Sequence, residues 1–273
     1  MKKHFFLKFW SIVSGLMVLF LVTYIFGFII LNGMDALSFE FIIDKPKGSP
    51  LGTEGGIYPA IIGSIYFTLI AITISTILAF ATSVYVVFYC RDKWKKSFIS
   101  FVTTTMAGIP SIVLGLFGYS FLVVYLNLGI SVITGGIVLG IMVFPYIEVR
   151  FEKSFLEVDK SVIEASYSMG INKLYTILNM ILPICFKDML SAISLAGCFA
   201  MGATAPILFT GGVIYASKVK DIFSPAMALP LHLYMLIGEG ISLKNAYATA
   251  LVLLIVLMIL NSFSLILRIR KED

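Results

Sequence analysis

Five stretches of this 273-residue chain contain no Asp, Glu, Lys, Arg or His: residues 9–34, 55–90, 97–147, 189–217 and 245–267. A bilayer core takes about 20 apolar residues per helix, so each stretch can cross at least once. The third is too long for one helix, and Asn127-Leu128-Gly129 near its centre supplies turn chemistry. That pattern predicts two helices joined by a short hairpin there, and six spans in all. Stretch 55–90 also exceeds one crossing. Its opening, Gly55-Gly56-Ile57-Tyr58-Pro59, reads as an interfacial lead-in, which places the second span over 65–89.

Segment 148–188 has a different pattern, with five basic and six acidic residues interleaved among apolar ones. Val162, Ala165, Met169, Leu174, Ile177 and Ile181 recur near helical spacing, while Glu164, Ser168 and Asn172 form a polar stripe. This predicts a short amphipathic helix, a turn at Gly170-Ile171-Asn172 and a second helical piece ending at Pro183. On pattern alone, a helix lying on the membrane and a docking element for a soluble partner both fit.

Charge fixes the orientation. With the N-terminus inside, fifteen of the 20 Lys and Arg residues fall on the cytoplasmic side, and Lys45, Lys47, Lys218, Lys220 and Lys244 fall outside. Cytoplasmic loops carry the basic excess, so both termini are predicted inside. The net charge of +5 is then a topology signal, and no nucleic-acid partner is needed to explain it. At 59% apolar and 13% charged, the chain departs from the roughly 25% charge of globular domains. A soluble enzyme, a secreted disulfide scaffold and a disordered regulator are excluded. The first apolar run exceeds that of a signal peptide and no small-x-small site follows it before Met34, so it is read as a retained helix. Cys90, Cys185 and Cys198 are assigned to the inner membrane face, the inner loop and a span, where no structural disulfide is expected.

The charge-free spans hold no nucleophile with a base and no metal cluster, which argues against an intramembrane enzyme or an ion-coupled carrier. No Gly precedes a Lys, so there is no phosphate-cradling P-loop. Pro110 and Pro206 are expected to free the carbonyls of Met106 and Gly202. Small and hydroxylated residues surround both breaks. Close helix packing and a lined pathway both fit, and the candidate path residues are Thr104, Pro110, Ser111, Gly202, Thr204 and Pro206. The last outer loop holds Lys218, Lys220, Asp221, His232, Glu239 and Lys244, read as interface markers; His232 has no metal-site partners. The acids of the first outer loop, Asp35, Glu40, Asp44 and Glu54, are read as solvated.

Glu164-Ala165-Ser166, three residues, Gly170, nine residues and then Met180-Ile181-Leu182-Pro183 resembles the EAA loop of permease subunits of binding-protein-dependent ABC importers. Ser166 and Met180 are conservative departures from the usual Ala and Ile. Within that superfamily the chain is similar to phosphate permease subunits of the PstA type. The similarity is carried by Gly55-Gly56-Ile57 with Ala60-Ile61-Ile62-Gly63-Ser64, by Ala107-Gly108-Ile109-Pro110-Ser111, by Thr204-Ala205-Pro206 and by Ala228-Leu229-Pro230-Leu231-His232.

The resemblance implies an all-α membrane protein with the type I ABC importer permease fold, in the cell membrane of a prokaryote. Residues 1–54 would be a first helix and outer loop, and residues 55–273 the permease core, with a cytoplasmic coupling loop over 148–188. Glu164, Ala165, Ser166, Gly170, Leu182 and Pro183 would form the site coupled to an ATPase. The implied partners are a second permease making a heterodimer, two ATPase subunits that hydrolyse the ATP, and an extracytoplasmic phosphate-binding protein, with no cofactor on this chain. Phe199 and Ala203 stand where the family pattern has an intramembrane Arg and Glu. Three accounts of this departure stay open: the partner permease holds the charge, the solute is another oxyanion, or the chain is a non-transporting regulatory paralogue.

Overall fold

The computed structural model describes residues 2–216 and 221–269. Lys218, Lys220, Arg270 and Lys271 of the charge argument lie outside the described residues. The described residues form an all-helical bundle with one small hairpin. Helix α1 (Lys2–Gly33) is followed by a short outer helix α2 (Phe39–Ile43) and by strands β1 (Pro46–Lys47) and β2 (Glu54–Gly55), which pair antiparallel. Helix α3 (Tyr58–Val84) continues as a π-helical turn over Tyr85–Tyr89. Helices α4 (Lys93–Ala107) and α5 (Ser111–Gly118) meet at a bend of 97°, and α5 runs on as a π-helical segment to Tyr125.

After the hairpin comes α6 (Val132–Leu156), then the short helices α7 (Lys160–Ser168) and α8 (Lys173–Thr176). A π turn over Ile177–Ile181 joins α8 to α9 (Leu182–Gly202), and α10 (Ala205–Thr210), α11 (Leu229–Gly238) and α12 (Leu243–Ile269) complete the order. Five of these helices are long and apolar enough to cross a membrane. Counting the bent α4–α5 pair as one span gives six, the expected number.

Local chemistry places the boundaries. Asp92, Ser131, Asp159 and Asn172 each cap a helix by accepting a hydrogen bond from a backbone N–H of the first turn. Asn127 takes a left-handed φ of 53° in the predicted hairpin, a conformation Asn tolerates better than other side chains.

Several expectations are corrected. Span two begins at Tyr58, seven residues before the predicted 65, because Pro59 sits in the first helical turn, where a missing N–H costs nothing. The second inner piece does not end at Pro183. The preceding π turn widens the helix, and the chain runs on as one candidate span, Lys173–Gly202. That span stops at Gly202, well short of Ser217, and Cys185 is buried in α9. Pro110 caps α5 from the bend, and Met106 O accepts from Ile109 N at 3.2 Å, so that carbonyl is not freed. Pro206 opens α10 after a break at Ala203 and Thr204, and so does not kink a continuous helix.

Glu148, read as the first residue of the inner loop, lies inside α6 and is 2% exposed. Helix extension into segment 148–188 from both sides leaves only residues 157–172 between the two spans.

The core lies between α3, α6 and α9. Small residues let α3 and α6 approach closely: Ser75 Oγ donates to Gly140 O at 2.6 Å, and a Cβ on Gly140 would stand 3.2 Å from Ala71 O. Helix α12 is held to α9 by Ser191 and Ser264, whose hydroxyls are 2.7 Å apart, and by Ser194 Oγ donating to Leu260 O at 2.8 Å. Lipid-facing side chains of α1 stay bare, as on Leu16, Leu19 and Phe20.

Candidate functional site

The cytoplasmic side carries the first cluster. On α7, Glu164 and Ala165 are exposed while Ser166 is buried, its Oγ 2.6 Å from Thr176 Oγ1. This bond closes α7 onto α8 across the turn. The turn itself needs Gly170, whose φ is +74°, although a Cβ there would meet nothing within 4 Å. Tyr167, Met169, Leu174 and Tyr175 present apolar surface beside Glu164, and Met169 is 78% exposed. Exposed apolar side chains of this kind suit a membrane surface or a protein partner. The Ser161 backbone N–H that Asp159 accepts holds its carboxyl below the usual range and fixes the start of α7.

Leu182 and Pro183 stand apart from this cluster. They lie at the base of α9, Leu182 packed against the core and Pro183 exposed. Of the six predicted coupling residues, the structure therefore brings Glu164, Ala165, Ser166 and Gly170 together and leaves the other two in the span.

The predicted path residues gather around the two breaks. Helix α5 packs backbone to backbone on α10: a Cβ on Gly115 would stand 2.8 Å from Ala205 O and 3.1 Å from the Pro206 Cα. Pro110 and Ser111 are thus on one side of this contact and Thr204 and Pro206 on the other. Thr104 is exposed on α4, and Gly202 faces open space at the end of α9.

A groove of about 720 Å³ runs along the exposed face of α9 and is walled by α1, α6 and α12. None of the predicted path residues lines it. Phe199 does, three residues before Gly202, with Leu195, Leu253, Leu257 and Tyr146. Among the described residues Arg150 is the one charged side chain of its lining, which also includes Asn261. At Arg150 the groove meets a polar notch shared with Lys153, Ser154, Glu157, Asp188 and Ser191, in which Lys153 and Glu157 pair at 3.7 Å.

Two residues lie in environments other than those the sequence predicts. Glu148 is buried against α4, where the Thr103 hydroxyl hydrogen-bonds its carboxyl. An acid inside a span is costly and is normally kept for a purpose. His232 is not an interface marker but is 3% exposed inside α11, with Tyr215 edge-on at 6.4 Å and no partner on Nδ1 among the described residues. Burial pushes its pKa down to about 4.

Comparison with known proteins follows the same outline. The profile of the family described as "Binding-protein-dependent transport system inner membrane component" matches residues 82–271. A protein of Methanocaldococcus jannaschii called "Probable phosphate transport system permease protein PstA" is 32% identical over 213 residues, 76% of this chain and 73% of its own length. The "Probable ABC transporter permease protein YqgI" of Bacillus subtilis is 27% identical over 79% of this chain and 77% of its own. Among solved structures, the MetNI methionine ABC transporter in an inward-facing conformation matches with a TM-score of 0.63 at 16% identity. It covers 77% of this chain and 93% of the matched one.

Proposed function

The chain belongs to the binding-protein-dependent transport system inner membrane components, multi-pass proteins of the prokaryotic cell membrane, and from that premise we propose that it is the phosphate permease half of an ATP-driven importer. The names of its relatives support phosphate as the solute. In this reading it forms a heterodimer with a second permease, two ATPase subunits bind from the cytoplasm, and a phosphate-binding protein delivers the anion from outside. Residues 1–54 supply the first span and outer cover, and residues 55–273 the permease core.

The observation that carries the reading is the α7 turn. It sets an acid, Glu164, beside the bare side chains of Tyr167, Met169, Leu174 and Tyr175 on two short cytoplasmic helices, α7 and α8, which the Ser166–Thr176 contact joins. A soluble ATPase that receives this helix gains a handle on the bundle, and closure of the ATPase pair then displaces spans as rigid bodies.

Phosphate carries one to two negative charges and needs a cation or convergent N–H donors on its way. Arg150, at the inner end of the α9 groove, fills that need for this half of the path. Hydroxyls and backbone dipoles of the candidate path come from Ser111, Gly202 and Thr204, beside Pro110 and Pro206 at the two breaks, and from Thr104 on α4. Phe199 and Ala203, standing where the family pattern has an Arg and a Glu, leave one second reading, import of a different oxyanion.

Purification of a tagged full-length chain from its own membranes tests the assembly. Recovery with a second permease and an ATPase subunit is expected; recovery of this chain alone contradicts the reading.

A further inference from the structure

Span two connects the cytoplasmic turn to the outer face through a polar tie at each end. Its inner end is the π turn Tyr85–Tyr89, where the last carbonyls of the helix lack intrahelical partners and carry the negative end of the dipole. The Lys173 ammonium lies there. It donates to the Phe88 carbonyl, 85 residues away in sequence, and sits 4.5 Å from the centre of the Tyr89 ring. Hydrogen bonding and the cation–π contact hold one charge at one place. Lys173 is the first residue of α8, directly after the Asn172 cap, and the Ser166–Thr176 bond ties α7 to α8. Phe88 also packs on Phe155 of α6, with ring centres 5.6 Å apart.

At the outer end, the Leu229 N–H that begins α11 donates to the buried Ser64 Oγ at 2.8 Å. Next to it the fit is closed: a Cβ on Gly63 would stand 1.9 Å from Met227 O. Both ties lie on one helix of 32 residues, Tyr58–Tyr89, and about 36 Å of it separates Ser64 from Phe88 at 1.5 Å per residue.

We propose that span two is a connecting rod that carries displacement of the α7–α8 unit to the outer helix α11, and that Lys173 is the positioning residue that engages it. The inference rests on the reading of α7 as the ATPase contact. A push on α7 reaches α8 through Ser166 and Thr176, reaches the end of α3 through Lys173, and reaches α11 through Ser64. A rigid element biased at both ends is the physical form that such coupling takes. Lys173 is engaged on the end of α3, through Phe88 and Tyr89. Its substitution therefore separates hydrolysis from import instead of abolishing both.

The test uses the complete complex in proteoliposomes with its binding protein, measuring phosphate import and ATP hydrolysis in the same sample. Lys173→Gln is expected to retain the ATPase subunits and their hydrolysis while the ATP consumed per phosphate imported rises by roughly fivefold or more. Lys173→Arg, which keeps a cation and donor, is expected near the unsubstituted ratio. A second readout is the rate at which an impermeant maleimide, added outside, labels Ile237→Cys on α11. ATP should change that rate in the parent and not in the Lys173→Gln background. An unchanged ratio and an ATP-sensitive label in Lys173→Gln overturn the inference, as does loss of the ATPase subunits, which would make Lys173 a docking residue. Failure of the underlying reading looks different: Glu164→Lys would then keep its ATPase, or the parent complex would import no phosphate.

Discussion

The ring of Phe199 on α9 lies 5.0 Å from that of Tyr146 on α6, tilted by 57°. Both rings line the α9 groove, and Arg150, one helical turn beyond Tyr146, supplies the charge of the lining. The sequence resemblance puts an Arg at position 199. The structure places a cation in the same groove from a different helix.

Arg150→Gln is accordingly expected to lower phosphate import by about tenfold or more, the worth of one charged hydrogen bond, with the ATPase still bound. Arg150→Lys should recover part of the rate. Initial rates across phosphate concentrations, with parallel purification of the complex, check both. Equal rates for Arg150→Gln and the parent would remove Arg150 from the path.

The α7 turn gives a graded series. Ser166→Ala removes one buried hydroxyl contact, while Thr176 keeps its bond to Asn172 O at 3.1 Å, so the local cost is about 1 kcal/mol. Faster amide exchange over residues 160–176, with the ATPase retained, is the expected result. Gly170→Pro or Glu164→Lys should abolish copurification of the ATPase and leave membrane insertion intact.

Glycine positions separate packing from composition. Gly63→Ala forces Met227 O to move and is expected to cost about 1–3 kcal/mol, seen as a lower melting temperature in detergent. Gly27 meets nothing within 4 Å of an added Cβ, so Gly27→Ala in the same assay should be neutral or stabilising by up to about 1 kcal/mol.

Acid should loosen the outer helix. His232 is held neutral by burial, with a folded-state pKa near 4 against the usual 6.5, so the unfolded chain binds the proton more readily than the folded one. Stability is therefore full above pH 6.5 and falls as pH drops from there toward 4. His232→Leu should flatten the melting temperature over that window relative to the parent. Parallel pH profiles for the two would show that His232 is not the group responsible.

Much of this architecture is legible in the sequence because it depends on local rules. Five charge-free stretches, the six spans they predict, the Asn127 hairpin and the Gly170 turn follow from hydropathy and from backbone conformations that few residues adopt. Misreadings occur where one signal has two meanings. Pro59 reads as loop punctuation, yet Pro is favoured in a first helical turn. The charge of Glu148 reads as a loop, while contact with Thr103 on another helix keeps it inside one. The groove is invisible in sequence for a different reason. Tyr146, Phe199 and Leu257 meet only after α6, α9 and α12 pack, and no local pattern marks residues so far apart.

The central claim, that this chain is a necessary half of a phosphate path, is tested most directly by uptake. Labelled phosphate at micromolar supply should enter cells lacking only this chain far more slowly than their parents, and expression of the intact chain should restore the rate. Import unchanged by the deletion, with other phosphate carriers removed, would contradict the claim.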